Sequence, residues 1–217
     1  LVFFALFELR LNYPVFDISL FLSNRLFAFS NLAALINYAT TFGITFLMSL
    51  YLQFARGLSP RDAGVILVTQ PAIMAIVASI SGRLSDKYDP RILASMGMAI
   101  IVAGLILLIF LDGITGNAYI IITLAIVGIG FGLFSSHNTN AIMGSVDKKF
   151  LGIASATVGT MRLTGQMFSM GIATLILQLF IGQDIISDQN ISSFIVSMRT
   201  TFTIFAILCF LGVFASL

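Results

Sequence analysis

The chain has 217 residues, 59% of them hydrophobic and only 9% charged, with a mean hydropathy of +1.06 and a formal net charge of +2. Water-soluble domains carry roughly 25% charged residues, so this composition excludes a surface built for water. The small net charge and the lack of a basic tract exclude nucleic acid as a partner.

Residue 1 is Leu, and the apolar run 1–7 is too short to cross a bilayer. With no basic segment before it, this run reads as the tail of a helix whose start is missing rather than a signal peptide, and the chain as a fragment of a longer one. Residues 8–25, with Pro14 and Asp17, read as a linker carrying amphipathic pieces such as Leu20-Phe21-Leu22. Residues 26–217 then divide into six apolar stretches, each near the roughly 20 residues a transmembrane helix needs. The expected fold is an all-α membrane protein.

The first span is expected over 26–54. Ser59-Pro60-Arg61-Asp62 follows as a helix start, with Ser59 as cap, Pro60 in the first helical position and Asp62 as capping-box acid. The second span, 63–82, holds Pro71, which removes a backbone donor and predicts a kink. A charged loop, 83–91, leads to the third span at 92–111. The fourth, 118–146, is polar in its second half, from Ser135 to Asn140. The fifth covers 152–181, and the sixth starts near Met198.

Arg10, Arg25, Arg83, Lys87, Arg91, Lys148 and Lys149 fall at one end of this arrangement, and Arg56, Arg61 and Arg199 at the other. The excess of basic residues places the first group in the cytoplasm. Both ends of the six-helix unit are then cytoplasmic, and the cell membrane is the expected location.

Arg162 is the sharpest single residue. It lies about 15 Å into the fifth span, where an arginine costs roughly 2.5–3.5 kcal/mol unless it faces protein, water or a partner. Ser155, Gly159, Arg162, Gln166 and Ser169 share one helical stripe with it. Arg162 either lines a substrate path or is a structural arginine satisfied by span four. On the first span Asn37, Tyr38, Thr41 and Thr45, with Gln70 on the second, are expected to dot a pocket with polar groups. Gly128/Gly132 and Ser155/Gly159 are spaced for close helix packing. Cys209 is the only cysteine and His137 the only histidine, which excludes a disulfide framework and a multi-histidine metal site. Cys209 is expected as a buried, inert thiol. His137 reads as a hydrogen-bonded core residue or a proton relay. No P-loop or Ser-His-Asp set is present, so neither an enzyme nor a nucleotide cofactor is expected. All nine acidic residues fall in loops or at span ends.

The loop Gly82-Arg83-Leu84-Ser85-Asp86-Lys87-Tyr88-Asp89-Pro90-Arg91 resembles the signature loop of the major facilitator superfamily, matching at Gly82, Leu84, Ser85, Asp86, Lys87 and Arg91. Asn31-Leu32-Ala33-Ala34-Leu35, Gly57-Leu58-Ser59-Pro60-Arg61-Asp62-Ala63-Gly64, the stretch from Gly128 to Ser136, and Gly152-Ile153-Ala154-Ser155 with Arg162 and Gly165 resemble the fourteen-helix drug:proton antiporter branch, the EmrB/QacA type. Asp89 stands where the loop pattern has Gly, and His137 where the branch has Pro.

The resemblance implies a C-terminal six-helix bundle of inverted 3+3 repeats in a lipid bilayer, working against a missing N-terminal half. It implies proton-coupled efflux of drugs or other amphipathic small molecules by alternating access. With no carboxylate deep in a span, the coupling acid is expected in that missing half. The alternative is an inactive remnant or a structural membrane protein that keeps the fold without transport.

Overall fold

Asn24 starts the first span twice over: its side chain accepts the Phe27 amide at 3.0 Å and donates to the Ser145 carbonyl at 2.6 Å, tying the start of one long helix to the end of another. The computed structural model describes residues 18–82, 89–182, 186–187 and 189–216. A short helix α1, Ile18–Ser23, occupies part of the expected linker. Then come α2 (Arg25–Leu50, prolonged by a wider turn, Tyr51–Ala55), α3 (Pro60–Leu67), α4 (Thr69–Ser81), α5 (Pro90–Ile109), α6 (Asn117–Gly144), α7 (Leu151–Ile181) and α8 (Ile191–Ser216). Six stretches are long and apolar enough to cross a membrane: Arg25–Ala55, Pro60–Ser81, Pro90–Ile109, Asn117–Gly144, Lys148–Ile181 and Ile191–Ser216. The second is α3 and α4 together.

The helix starts follow local chemistry. Ser59 caps α3 by accepting the Asp62 amide at 3.2 Å, and its hydroxyl donates to the Asp62 carboxylate at 2.7 Å. Asp62 thus serves the capping hydroxyl instead of reaching back to the Ser59 backbone. Asp89 caps α5 through the Arg91 amide at 2.9 Å, with Pro90 in the first turn. The kink expected at Pro71 appears as a break at Val68, between α3 and α4. Pro71 cannot donate to Leu67, so the helical ladder is interrupted one turn before the proline itself.

The sixth span begins at Ile191, seven residues before the expected Met198. Ser192, Ser193 and Ser197 make this stretch look polar, but the Ser197 hydroxyl donates to the Phe194 carbonyl and that of Thr201 to Ser197. Hydroxyls satisfied by their own helix do not end it. Arg199 lies inside α8 and turns its guanidinium to the loop at that end, donating to the Leu111 carbonyl through Nε at 2.9 Å and Nη2 at 2.8 Å.

Neighbouring helices pair in matching sets. α2 lies against α7 as α6 lies against α4, and α5 lies against α6 as α8 lies against α2. α2 with α6 and α5 with α8 also touch across the two sets of three spans, while α7 and α8 touch within the second set. Each set has three crossings, so the second enters from the opposite side, the arrangement of inverted repeats. The core between them is apolar and built largely from α2, α5, α6 and α8, with Ile44, Leu47, Met98, Ile101, Val127 and Phe202 all buried. The outward residues are apolar too: Val65, Ile80, Leu175 and Leu179 are all exposed. A chain that is greasy on both sides of its helices is built for lipid, where backbone groups must be satisfied within helices. Cys209 is buried in the core, as expected.

At the Arg56 end, the turn after α5 is held by its own hydrogen bonds. Asp112 accepts the Thr115 hydroxyl at 2.7 Å and the Ile114 amide at 3.0 Å, and Arg56 donates to the Gly113 carbonyl at 3.1 Å. The Thr115 hydroxyl, then the Ile114 amide, hold the Asp112 carboxyl below its ordinary value of 3.8. A lowered folded-state pKa contributes stability that is present above the unfolded value and lost as pH falls through the folded one. Thermal unfolding in mild detergent, followed from pH 7 down through 3.8, is therefore expected to lose stability on acidification more steeply in the parent than in Asp112→Asn. Equal slopes would show that the carboxylate does not hold the turn.

Candidate functional site

Two glycines and one serine set α7 against α2. A Cβ at Gly165 would lie 2.7 Å from the Leu35 carbonyl oxygen and 2.9 Å from the Cβ of Tyr38, so only glycine allows this approach. One turn further on, the Gly43 amide donates to the fully buried Ser169 Oγ at 2.7 Å. Three residues before Gly165, Arg162 is thereby carried over Tyr38, its Cζ 5.2 Å from the ring centroid. Such a cation over an aromatic face is worth roughly 0.5–1 kcal/mol at exposed sites. The Tyr38 ring in turn lies 6.3 Å from that of Phe131 on α6.

These groups border a cavity of about 290 Å³. α2 contributes Tyr38, Thr41, Phe42 and Thr45, α4 contributes Met74, α6 contributes Phe131 and Ser135, and α7 contributes Arg162 and Gln166. α4 and α6 reach the wall by close packing at Gly128 and Gly132. There an added Cβ would meet the Gln70 carbonyl at 2.6 Å and the Met74 carbonyl at 2.8 Å. The Gly128/Gly132 expectation is thus met. Ser155/Gly159 is corrected: Ser155 is exposed and nothing lies within 4 Å of a Cβ built on Gly159. Close packing on α7 is carried by Gly165 instead.

Of the residues expected along a path, Tyr38, Thr41, Arg162 and Gln166 come together in this cavity. Asn37 and Gln70 do not line it. Asn37 is fully buried, and its carbonyl takes the Thr40 and Thr41 hydroxyls at 2.8 Å each. One residue is 100° of helix, which turns Asn37 into the bundle when Tyr38 faces the cavity. Gln70 borders a neighbouring space of about 270 Å³ at the Val68 break, which shares Thr45 and Met74 with the first. Phe131 was not among the expected residues: one more Phe in an apolar run carries no signal of its direction. Ser135 had a signal in the polar half of α6.

Of the signature-loop residues, Asp86 and Lys87 lie outside the described residues. Gly82 ends α4, and a Cβ there would meet only its own helix, at 3.8 Å from Ala78 O. Among the described residues no other helix comes within 4 Å of that position. Arg91 is exposed in the first turn of α5. His137 is fully buried in α6. Among the described residues no cluster of three or more His, Cys, Asp or Glu could hold a metal. The described carboxylates, Asp62, Asp89, Asp112 and Asp147, sit in loops or at helix starts.

The cavity thus offers a guanidinium with planar donors, an amide, hydroxyls and aromatic faces. These are groups suited to binding a small solute.

Comparison with known proteins agrees. Residues 30–217 match the Major Facilitator Superfamily. The chain is 27% identical over 212 residues to the riboflavin transporter RibZ of Clostridioides difficile, covering 96% of this chain and 45% of that protein. It is 33% identical over 179 residues to the multidrug efflux pump LfrA of Mycolicibacterium smegmatis, covering 79% of this chain and 34% of that protein. It is 26% identical over 172 residues to the multidrug resistance protein Stp of Mycobacterium tuberculosis, covering 79% of this chain and 31% of that protein. The chain spans less than half the length of these relatives. With six apolar spans paired as two repeats around a polar-dotted cavity, and the match running through nearly all of them, this multi-pass membrane chain belongs to the Major Facilitator Superfamily, a family of transporters and not of enzymes.

Proposed function

We propose that residues 26–217 are the C-terminal half of a proton-coupled exporter of drugs or other amphipathic small molecules, working by alternating access against an N-terminal half. The observation that carries this reading is the cavity where Arg162 lies over Tyr38 beside Phe131 and Gln166. A charged, hydrogen-bonding spot on an aromatic wall suits solutes that are apolar with one polar end. The likeness to LfrA and Stp supports efflux. Rocking of the two halves would expose the cavity to each side in turn, with the Arg25, Arg91 and Lys148 end in the cytoplasm. The described spans hold no deep carboxylate, so the proton-coupling acid belongs to the other half.

The likeness to RibZ, which covers 96% of the chain, favours a second reading. In it the solute is a planar aromatic nutrient stacked on Tyr38 and Phe131.

Transport by the complete protein in membrane vesicles separates these readings. Accumulation of amphipathic drugs that collapses when the pH gradient is discharged supports the first. Movement of riboflavin and of none of the drugs supports the second. If neither class moves, the transport reading fails and a silent remnant of the fold remains.

A further inference from the structure

A second basic site lies away from the cavity. At the end of the bundle where α2 and α5 start and α8 stops, a recess of about 400 Å³ is bordered by Arg25, Phe29 and Ser30 of α2, Arg91 of α5, and Phe214 and Ser216 of α8. Its floor is tied by the Ser95 and Ser216 hydroxyls, 2.6 Å apart, so α5 and α8 hold a fixed spacing there. Two arginines from different helices border the recess, and among the described residues no carboxylate does. Among the described residues neither guanidinium makes an ion pair or a hydrogen bond. The nearby Asp89 turns its carboxylate to the Arg91 amide, and Asp147 borders a separate recess on the other side of Arg25.

The surroundings say which anion fits. Phe29 is 54% exposed and Phe214 63% exposed, and Phe210 stacks edge-on against Phe214 with centroids 5.3 Å apart. Leu32, Phe210 and Leu211 continue this apolar surface into the spans. Phe29 and Tyr38 are nine residues apart on α2, which at 100° per residue sets them on opposite sides of the helix. The recess therefore opens on the side of α2 away from the Arg162 cavity. It lies where helix ends meet the water boundary, with charge at the end and grease below it.

We propose that this recess is a binding site for an anionic phospholipid, its phosphate between Arg25 and Arg91 and its acyl chains along Phe29, Leu32, Phe210 and Phe214. Basic pockets between spans recognise anionic headgroups by attraction in a weakly screening interface. A free phosphate would gain the same arginines, but nothing from the aromatic surface below them. The site is independent of what the cavity carries, so the test reads lipid binding and not transport.

The experiment is native mass spectrometry of the complete protein in neutral detergent, titrated with phosphatidylglycerol or phosphatidylcholine. Arg25→Ala/Arg91→Ala and Arg25→Lys/Arg91→Lys are compared with Arg61→Ala at the opposite end, and matched melting curves identify variants that fold. The parent and Arg61→Ala should bind phosphatidylglycerol at least about fivefold more tightly than phosphatidylcholine, near the effect of one basic residue at a membrane surface. The double alanine variant should lose the preference, and the double lysine variant should keep part of it. Inorganic phosphate at millimolar concentration should not displace the lipid. Equal binding of both lipids by the parent would overturn the proposal. So would an unchanged preference in the folded alanine variant, or full displacement by inorganic phosphate. If the alanine variant does not fold, the lysine variant decides: an affinity for phosphatidylglycerol indistinguishable from that for phosphatidylcholine would overturn it, and a retained preference would uphold it.

Discussion

Arg162→Ala in the complete transporter is expected to lower kcat/KM about tenfold to hundredfold for any solute that presents an acceptor to the cavity. A hydrogen bond to a charged group contributes roughly 1.5–3 kcal/mol, and each 1.36 kcal/mol is about tenfold. Arg162 is exposed to the cavity, so the loss should fall on function and not on folding. The folded fraction and melting temperature should stay near those of the parent, since the contact with Tyr38 is worth at most roughly 1 kcal/mol. Arg162→Lys keeps the charge and loses the planar fork, so it should recover part of the rate. Tyr38→Phe keeps the ring and should be milder than Tyr38→Leu. Transport assays on these variants beside the parent read the ranking directly. Parental kcat/KM in Arg162→Ala would reduce the residue to a scaffold role.

The largest effect on stability is expected at Gly97. A Cβ there would lie 2.6 Å from the Phe134 backbone nitrogen and 2.7 Å from the Gly130 carbonyl oxygen, and one at Gly130 would lie 2.6 Å from the Gly97 carbonyl. α5 and α6 thus touch backbone to backbone, and no side chain can swing away to make room. Overpacking costs about 1–3 kcal/mol where neighbours yield, and more where they cannot. Gly97→Val should therefore melt more than 10 °C lower in mild detergent, an effect on the order of several kcal/mol, or fail to accumulate. Gly171→Ala on α7, where nothing lies within 4 Å of the new atom, should melt within a few degrees of the parent. Similar melting of both variants would refute the close α5–α6 approach.

Sequence reading and structure part company at instructive residues. Pro71 announces a break, but the break falls at Val68, because the missing bond belongs to the carbonyl four residues earlier. Ser197 and Arg199 disguise a helix start, because a short hydroxyl can bond its own helix and a long guanidinium can leave the span for the Leu111 carbonyl. Gly159 and Gly165 look alike in sequence. Only the second has a neighbour, because which face of α7 meets α2 is a matter of how the helices rotate in the bundle. Asn37 and Tyr38 are likewise separated by a single step of rotation, one into the core and the other onto the cavity wall.

What the amino-acid order decided by itself was the solvent and the number of crossings. Apolar runs of spanning length, with most charges gathered at their ends, leave only helices laid through lipid, and the Ser59, Asp89 and Asn24 caps start three of them from local chemistry. What only the tertiary structure decided was direction. Inside and outside are equally greasy in a membrane helix, so the usual contrast that orients a helix in water is absent. The turn of each helix about its axis is set by where two backbones fit, at Gly165, Gly128 and Gly97, and that fit alone brings Arg162, Tyr38, Gln166 and Phe131 together.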